Sequence, residues 1–298
     1  MAVSVSRATS ADAAVLMGMI RELAEFEKMP EAVKIDETRL AADLDENSVG
    51  GFVLREGDEP AAMLLFYFAY STWEGQFIHM EDLYVRPAFR RKGYGQRLWR
   101  ELGILAKEMG VLRDAFGHTI LQRRVARPTN ALHLGMAVSV SRATSADAAV
   151  LMGMIRELAE FEKMPEAVKI DETRLAADLD ENSVGGFVLR EGDEPAAMLL
   201  FYFAYSTWEG QFIHMEDLYV RPAFRRKGYG QRLWRELGIL AKEMGVLRIQ
   251  WDVLDWNSNA IAFYEKMPCE NLTKKEGWLL YRLNANGIAA LAEAKTKC

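Results

Sequence analysis

Between Ala148 and Phe161 the apolar residues Leu151, Met154, Ile155, Leu158 and Phe161 recur three and four apart, which predicts an amphipathic helix with Ser145 as its N-cap. The VSVSRAT stretch before it reads as a strand, and a shorter helix is expected around Asp171 to Leu179. Two strands then follow about a Gly192-Asp193 turn, and QFIHMEDLYVRP gives a third that stops at Pro222. From Gln231 to Met244 the helical period returns through Leu233, Leu237, Leu240 and Met244, with Gly245 at the C-cap. IQWDVLD reads as a strand, Asn257 or Ser258 caps a further helix, WLLYRLN reads as a late strand, and an Ala-rich helix closes the chain. Strands and helices mix without strict alternation, so the pattern predicts an α+β domain around a mostly antiparallel sheet.

This pattern occurs twice. Met1 to Arg113 recurs as Met136 to Arg248 without a substitution, at a constant offset of 135. The unit is far longer than the roughly 20 to 50 residues of stacking repeats, so it is a domain or a large piece of one. The organisation expected is a truncated copy over 1–113, a linker over 114–135 and a complete domain over 136–298. The linker carries Arg123, Arg124, Arg127 and Pro128 without a clean period and reads as poorly ordered. The segment from Met136 onward reads as an open reading frame complete in itself, so the front copy is either a recent duplication or a mis-joined gene.

Composition narrows the class. Half of the residues are hydrophobic, which suffices for packed cores. No apolar run approaches the roughly 18 residues of a membrane span, and no signal-peptide pattern opens the chain, so a cytoplasmic protein without a membrane partner is expected. A net charge of −6 argues against nucleic-acid binding and suits a cationic small partner. The two cysteines, Cys269 and Cys298, form neither a C-x-x-C pair nor a Cys/His cluster, so no metal site is expected.

The most specific local signal is Arg225-Arg226-Lys227-Gly228-Tyr229-Gly230, set between a strand and a helix. Glycines there let backbone N–H groups converge at a helix N-terminus, whose dipole favours a pyrophosphate. It is neither a Walker loop nor a dinucleotide fingerprint.

RRKGYG has the Arg-x-x-Gly-x-Gly form with which the GNAT superfamily holds the pyrophosphate of coenzyme A. With ELAEFEKM, YFAYSTWEGQFIHMEDLYVRP, VLDWNSNAIAFYEKM and NLTKKEGW, the region 136–298 resembles the spermidine/spermine and thialysine N-acetyltransferases in order and over its whole length, the LAEFEKM, FRRKGYG and VLDWN forms being closer to the thialysine branch. The resemblance implies a GNAT fold, acetyl-CoA as co-substrate, a small cationic amine as acceptor and a homodimer formed through the complete domain. By position-wise matching it implies cofactor contacts from Leu218, Tyr219 and Val220, from Arg225, Arg226, Lys227, Gly228, Tyr229, Gly230 and Gln231, and from Asn257, Ser258, Asn259 and Ala260. Phe161, Glu162, Gln250, Trp251, Asp252 and Glu276 match substrate-side positions.

Two residues are expected to carry the chemistry. An alkylammonium must lose a proton before it attacks a thioester, and Glu216 resembles the family's acid beside the amine, with Asp217 as its substitute. The departing thiolate needs a proton, and Tyr264 resembles the family's acid. His214 is read as structural, and Glu157 and Glu160 are given no role. The rival readings are a non-catalytic acyl-CoA-binding or dimerisation module and a protein N-acetyltransferase. The first copy keeps Glu81 and the turn Arg90 to Gly95 but lacks counterparts of IQWDVLD and Tyr264, so it is expected to be inactive and only partly folded. Alternatively it takes the partner's place inside the same chain, although the missing strands count against this.

Overall fold

The computed structural model describes residues 2–109, 138–276 and 285–293. The expected linker 114–135 and the expected strand WLLYRLN lie outside the described residues.

The first copy consists of β1 (Val3–Arg7), α1 (Ala13–Phe26), α2 (Glu37–Asp45), β2 (Gly50–Glu56), β3 (Glu59–Ser71), β4 (Gly75–Val85) and α3 (Tyr94–Glu108). The second repeats it as β5 (Val138–Arg142), α4 (Ala148–Phe161), α5 (Glu172–Asp180), β6 (Gly185–Glu191), β7 (Glu194–Ser206), β8 (Gly210–Val220) and α6 (Tyr229–Met244), and adds β9 (Ile249–Trp251), α7 (Ser258–Tyr264), α8 (Leu272–Glu276) and α9 (Ala285–Glu293). Each copy forms an antiparallel meander, β1-β2-β3-β4 and β5-β6-β7-β8, and β9 joins the second sheet parallel to β8.

Local chemistry accounts for the elements and corrects two boundaries. Thr144, not Ser145, caps the first helical segment of the second copy: it exchanges hydrogen bonds with Asp147 across a single 3₁₀ turn (Ser145–Asp147) that leads into α4. The helix α6 starts at Tyr229 rather than Gln231, because Gly228 at its N-cap sits at φ 81°. On α4, Leu151, Met154 and Ile155 are fully buried, but Phe161 at the end of the same stripe is 41% exposed.

The first copy is folded, contrary to the expectation of a partial domain. It carries its own apolar cluster around Leu54, Leu64, Phe66 and Leu98, and a second cluster runs continuously through both copies. That shared core takes Leu16, Ile20, Leu40 and Tyr70 from one copy and Leu151, Ile155, Leu175 and Tyr205 from the other. The polar contacts across it come in symmetric pairs. The Tyr70 hydroxyl donates to Asp178 and the Tyr205 hydroxyl to Asp43, both at 2.7 Å, and each aspartate is also paired with an arginine of its own helix, Arg174 or Arg39. The Lys34 N–H donates to the Trp208 carbonyl, and the Lys169 N–H to that of Trp73, each at 2.6 Å. The face of the first copy that carries Leu16, Ile20, Leu40 and Tyr70 is thus covered by its twin, while Ile78 and Met80 on β4 stay half-buried.

The C-terminal helix crosses to the other copy. The helix α9 packs on α3, where the Arg100 Nε–H donates to the Ala292 carbonyl at 3.3 Å.

Candidate active site

A β-bulge opens the site. Along β7 and β8 the pairing runs Phe201 with Met215 and then Leu200 with Asp217, so Glu216 is the extra residue. The parallel pairing of β8 with β9 covers only Ile213 with Ile249, His214 with Gln250 and Met215 with Trp251. Beyond Met215 the two strands part, and the expected strand IQWDVLD shortens to Ile249–Trp251 for this reason. Among the described residues, the β9-side backbone edge of Leu218, Tyr219 and Val220 has no strand partner and faces a wedge that can take an extended chain.

The turn at the end of β8 leads to the N-terminus of α6. Arg226 stands at φ 63° and Gly228 at φ 81°, and a Cβ placed on Gly228 would meet only the Gln231 side-chain oxygen, at 3.9 Å. The N–H groups of the first helical turn therefore open toward a common point, the arrangement that suits a pyrophosphate. The basic side chains divide their tasks. Arg225 donates from Nε to the Val220 carbonyl at 2.9 Å, and its guanidinium lies over Phe161 and Tyr219. Lys227 is paired with Glu191 at 2.8 Å, and the same carboxylate accepts from the Tyr229 hydroxyl. Arg226 is exposed on the turn. On the opposite wall Asn257 caps α7 by accepting from the Ala260 N–H at 3.2 Å, which places Ser258, Asn259 and Ala260 in that helix's first turn.

Tyr264 ends α7 and is held by a ring cage of Trp251 at 5.2 Å, Phe263 at 5.4 Å and Trp234 at 5.9 Å between centroids. Burial, then the negative charges of Asp217 and Glu162, push its hydroxyl far above the usual phenol range, so it remains a proton donor at neutral pH. Glu162 is pushed up to about 7 by burial and by Asp217. Asp217 is pushed up to about 6 by burial, against a hydrogen bond from Thr72. Glu162, Asp217 and Tyr264 thus form one electrostatic group, and a cation entering it would be welcomed by two carboxyls near their titration points.

The structure distributes the other expected residues around this group. Glu216 lies with His214 and Asp252 on the neighbouring face, with the His214 Nε2 3.8 Å from Glu216 and 3.7 Å from Asp252. Phe161 stacks at 5.8 Å against Trp256 at the rim. Gln250 pairs with His214 in the sheet, and Trp251 serves the cage of Tyr264. The Glu276 side chain lies outside the described residues. Of the two candidate acids, Asp217 is the one whose charge reaches Tyr264, and Glu216 is the bulged one.

Sequence reasoning missed Thr72, which reaches Asp217 from the first copy, as Thr207 reaches Asp82 in return. No signal local to the second copy points to it. The signal available was the duplication itself, since a residue near a two-fold axis meets its twin's neighbours.

The acetyltransferase (GNAT) family matches residues 17–127 and again 152–267. A thialysine N-epsilon-acetyltransferase of Caenorhabditis elegans is 50% identical over 143 residues, spanning 48% of this chain and 89% of the relative. The mouse thialysine N-epsilon-acetyltransferase is 36% identical over 163 residues, spanning 51% of this chain and 96% of the relative. Among solved structures, an integron cassette protein from the mobile metagenome of V. cholerae superimposes with a TM-score of 0.45 at 23% identity, covering 54% of this chain and 100% of that one. Two matched copies, each with the bulged strand and the glycine turn before a helix, place the chain in the acetyltransferase (GNAT) family, as an acyltransferase with a duplicated domain.

Proposed function

We propose that the second copy transfers the acetyl group of acetyl-CoA to the primary amine of a small cationic substrate of the thialysine or lysine type, with polyamines as the nearest alternative acceptors. The observation that carries this reading is the grouping of Glu162 and Asp217 beside a protonated Tyr264, at the mouth of the wedge between β8 and β9. The names of the relatives support the acceptor class.

In this reading the pantetheine arm lies along the free edge of Leu218 to Val220, and the pyrophosphate rests on the turn from Arg226 to Gln231. The ammonium is drawn in by Glu162 and Asp217, and Glu216 takes one of its protons. The nitrogen then attacks the thioester carbonyl carbon, and the carbon–sulfur bond breaks. Tyr264 gives its hydroxyl proton to the leaving sulfur and recovers one from the acetylated nitrogen, so the products are the amide, the thiol and one proton carried by Glu216. No described helix is long and apolar enough to cross a membrane.

The first copy is the built-in counterpart of a partner subunit, so the homodimer expected from the resemblance is formed within one chain. The symmetric Tyr70–Asp178 and Tyr205–Asp43 contacts support this arrangement. The test is release of coenzyme A by the full chain with acetyl-CoA and thialysine, lysine, spermidine, putrescine or a histone-tail peptide. Turnover on a small amine supports the proposal, and turnover on the peptide alone would replace it with a protein acetyltransferase.

A further inference from the structure

His214 stands two residues before the bulged Glu216 on β8, and its Nε2 lies 3.8 Å from the Glu216 carboxylate. Its imidazole lies flat against the Tyr202 ring of β7, 4.8 Å between centroids at 18°, which fixes the ring plane. Nε2 is 3.8 Å from Glu216 and 3.7 Å from Asp252, distances that small side-chain rotations close to hydrogen bonds. The side chain of Asp252 is 85% exposed and that of His214 only 11%, so the pair runs from solvent to the base. Other titratable groups bearing on this cluster are Tyr202, which stacks on the imidazole and interacts with Glu216 and Asp252, and from the first copy His79, beside the imidazole, and Tyr70, beside Glu216.

We propose that His214 is the positioning residue for Glu216: its Nε2–H donates to the Glu216 carboxylate and holds it ionised and aimed for proton abstraction, with Asp252 as the second acceptor at the solvent side. This rests on the reading of Glu216 as the base. Two carboxylates at one nitrogen draw the ring's single proton to it and set the tautomer. Burial, with His79 adding to it and the charge of Asp252 opposing, pushes the imidazole down to about 4, so the ring is neutral near pH 7 and carries one N–H. A donor to the charged form lowers a carboxyl pKa. In the first copy His79 lies 3.7 Å from Glu81, but the copy lacks the residues that would supply a counterpart of Asp252.

The test is the pH profile of kcat/KM for the full chain with acetyl-CoA and thialysine. His214→Phe keeps the stack on Tyr202 and removes the donor. It is expected to raise the acidic limb by about one pH unit, a loss of about ten-fold on the acidic side, with the plateau within about two-fold. His214→Gln, which restores an N–H donor, is expected to bring the limb most of the way back. A His214→Phe profile that superimposes on the wild type, or that is lowered equally at every pH, overturns the inference. Glu216→Gln separates the two failures: if it leaves the limb in place, the base reading is wrong, whereas if it removes the limb while His214→Phe does not move it, only the positioning role of His214 is wrong.

Discussion

Phe212, Ile213 and Met215 are buried in the second copy, whereas Phe77, Ile78 and Met80, the same residues in the same strand of the first, are only half-buried. The segment after Arg248 makes the difference. It adds β9 and α7, which cover this stretch of β8, bring Trp251 and Tyr264 to Trp234, and make the wedge that an acyl donor needs. The first copy has the bulge, the glycine turn and the acids, yet among the described residues it has no such second wall. In the mechanism proposed above, the shared strand and turn do not suffice: the second wall supplies the proton donor and encloses the acids.

The copies also differ in what they give each other. Thr72 of the first copy lowers the pKa of the Asp217 carboxyl of the second, while Thr207 does the same for Asp82, and one oxygen of each aspartate is buried without a hydrogen-bond partner among the described residues. The duplication therefore pairs two like units, of which, among the described residues, only the second carries β9 and α7.

The comparison breaks most visibly at Tyr264. Tyr264→Phe leaves the ring cage intact and removes the donor, so kcat is expected to fall by about ten-fold or more with thermal stability nearly unchanged. Activity within about two-fold of wild type would mean that another group protonates the sulfur. The interface comes next. Tyr70→Phe and Tyr205→Phe each remove one buried hydroxyl from an aspartate that keeps its arginine, and each is expected to cost about 1 to 3 kcal/mol of stability. Because the contacts are symmetric, the two losses should match in denaturant titration; a loss at one position only would refute the pseudo-symmetric packing.

Proton linkage gives a subtler test. Burial raises Glu81 to about 8, Glu162 to about 7, and Asp82 and Asp217 to about 6. A carboxyl with a raised folded pKa favours folding most below its unfolded value near 4, and that contribution is lost as pH rises through the folded values. The contribution of these four groups to the melting temperature should thus decline between about pH 4 and pH 8, and Asp217→Asn should flatten part of the decline. A cation bound beside Glu162 and Asp217 should lower both pKa values and release protons near about pH 6. Calorimetry of amine binding in two buffers of different ionisation enthalpy measures this, and proton uptake would place the amine elsewhere.

Much of this was legible in the sequence. Periodicity located the helices and the meander, because each element buries one face and local caps mark its ends. The turn Arg225 to Gly230 was legible because glycine at positive φ leaves a mark in the sequence. What stayed hidden was relational. Nothing in WDVLD says that the strand leaves its neighbour after Trp251, because the parting is imposed by the bulge on β8. The folding of the first copy could not be read from what it lacks, since one of its apolar faces is covered by the second copy and its helix α3 by α9. Nor does the sequence show that His214 and Asp252 come within 3.7 Å of each other, since Asp252 lies on the segment after β9.

The function proposed above puts one working site in the chain, in the second copy. Comparing Glu216→Gln with Glu81→Gln in the full chain, assayed for coenzyme A release on the same small amine, tests this directly. A fall of about one hundred-fold or more is expected for Glu216→Gln, and activity within about two-fold of wild type for Glu81→Gln. Equal losses from the two substitutions, or a larger loss from Glu81→Gln, would contradict a single working site in the second copy.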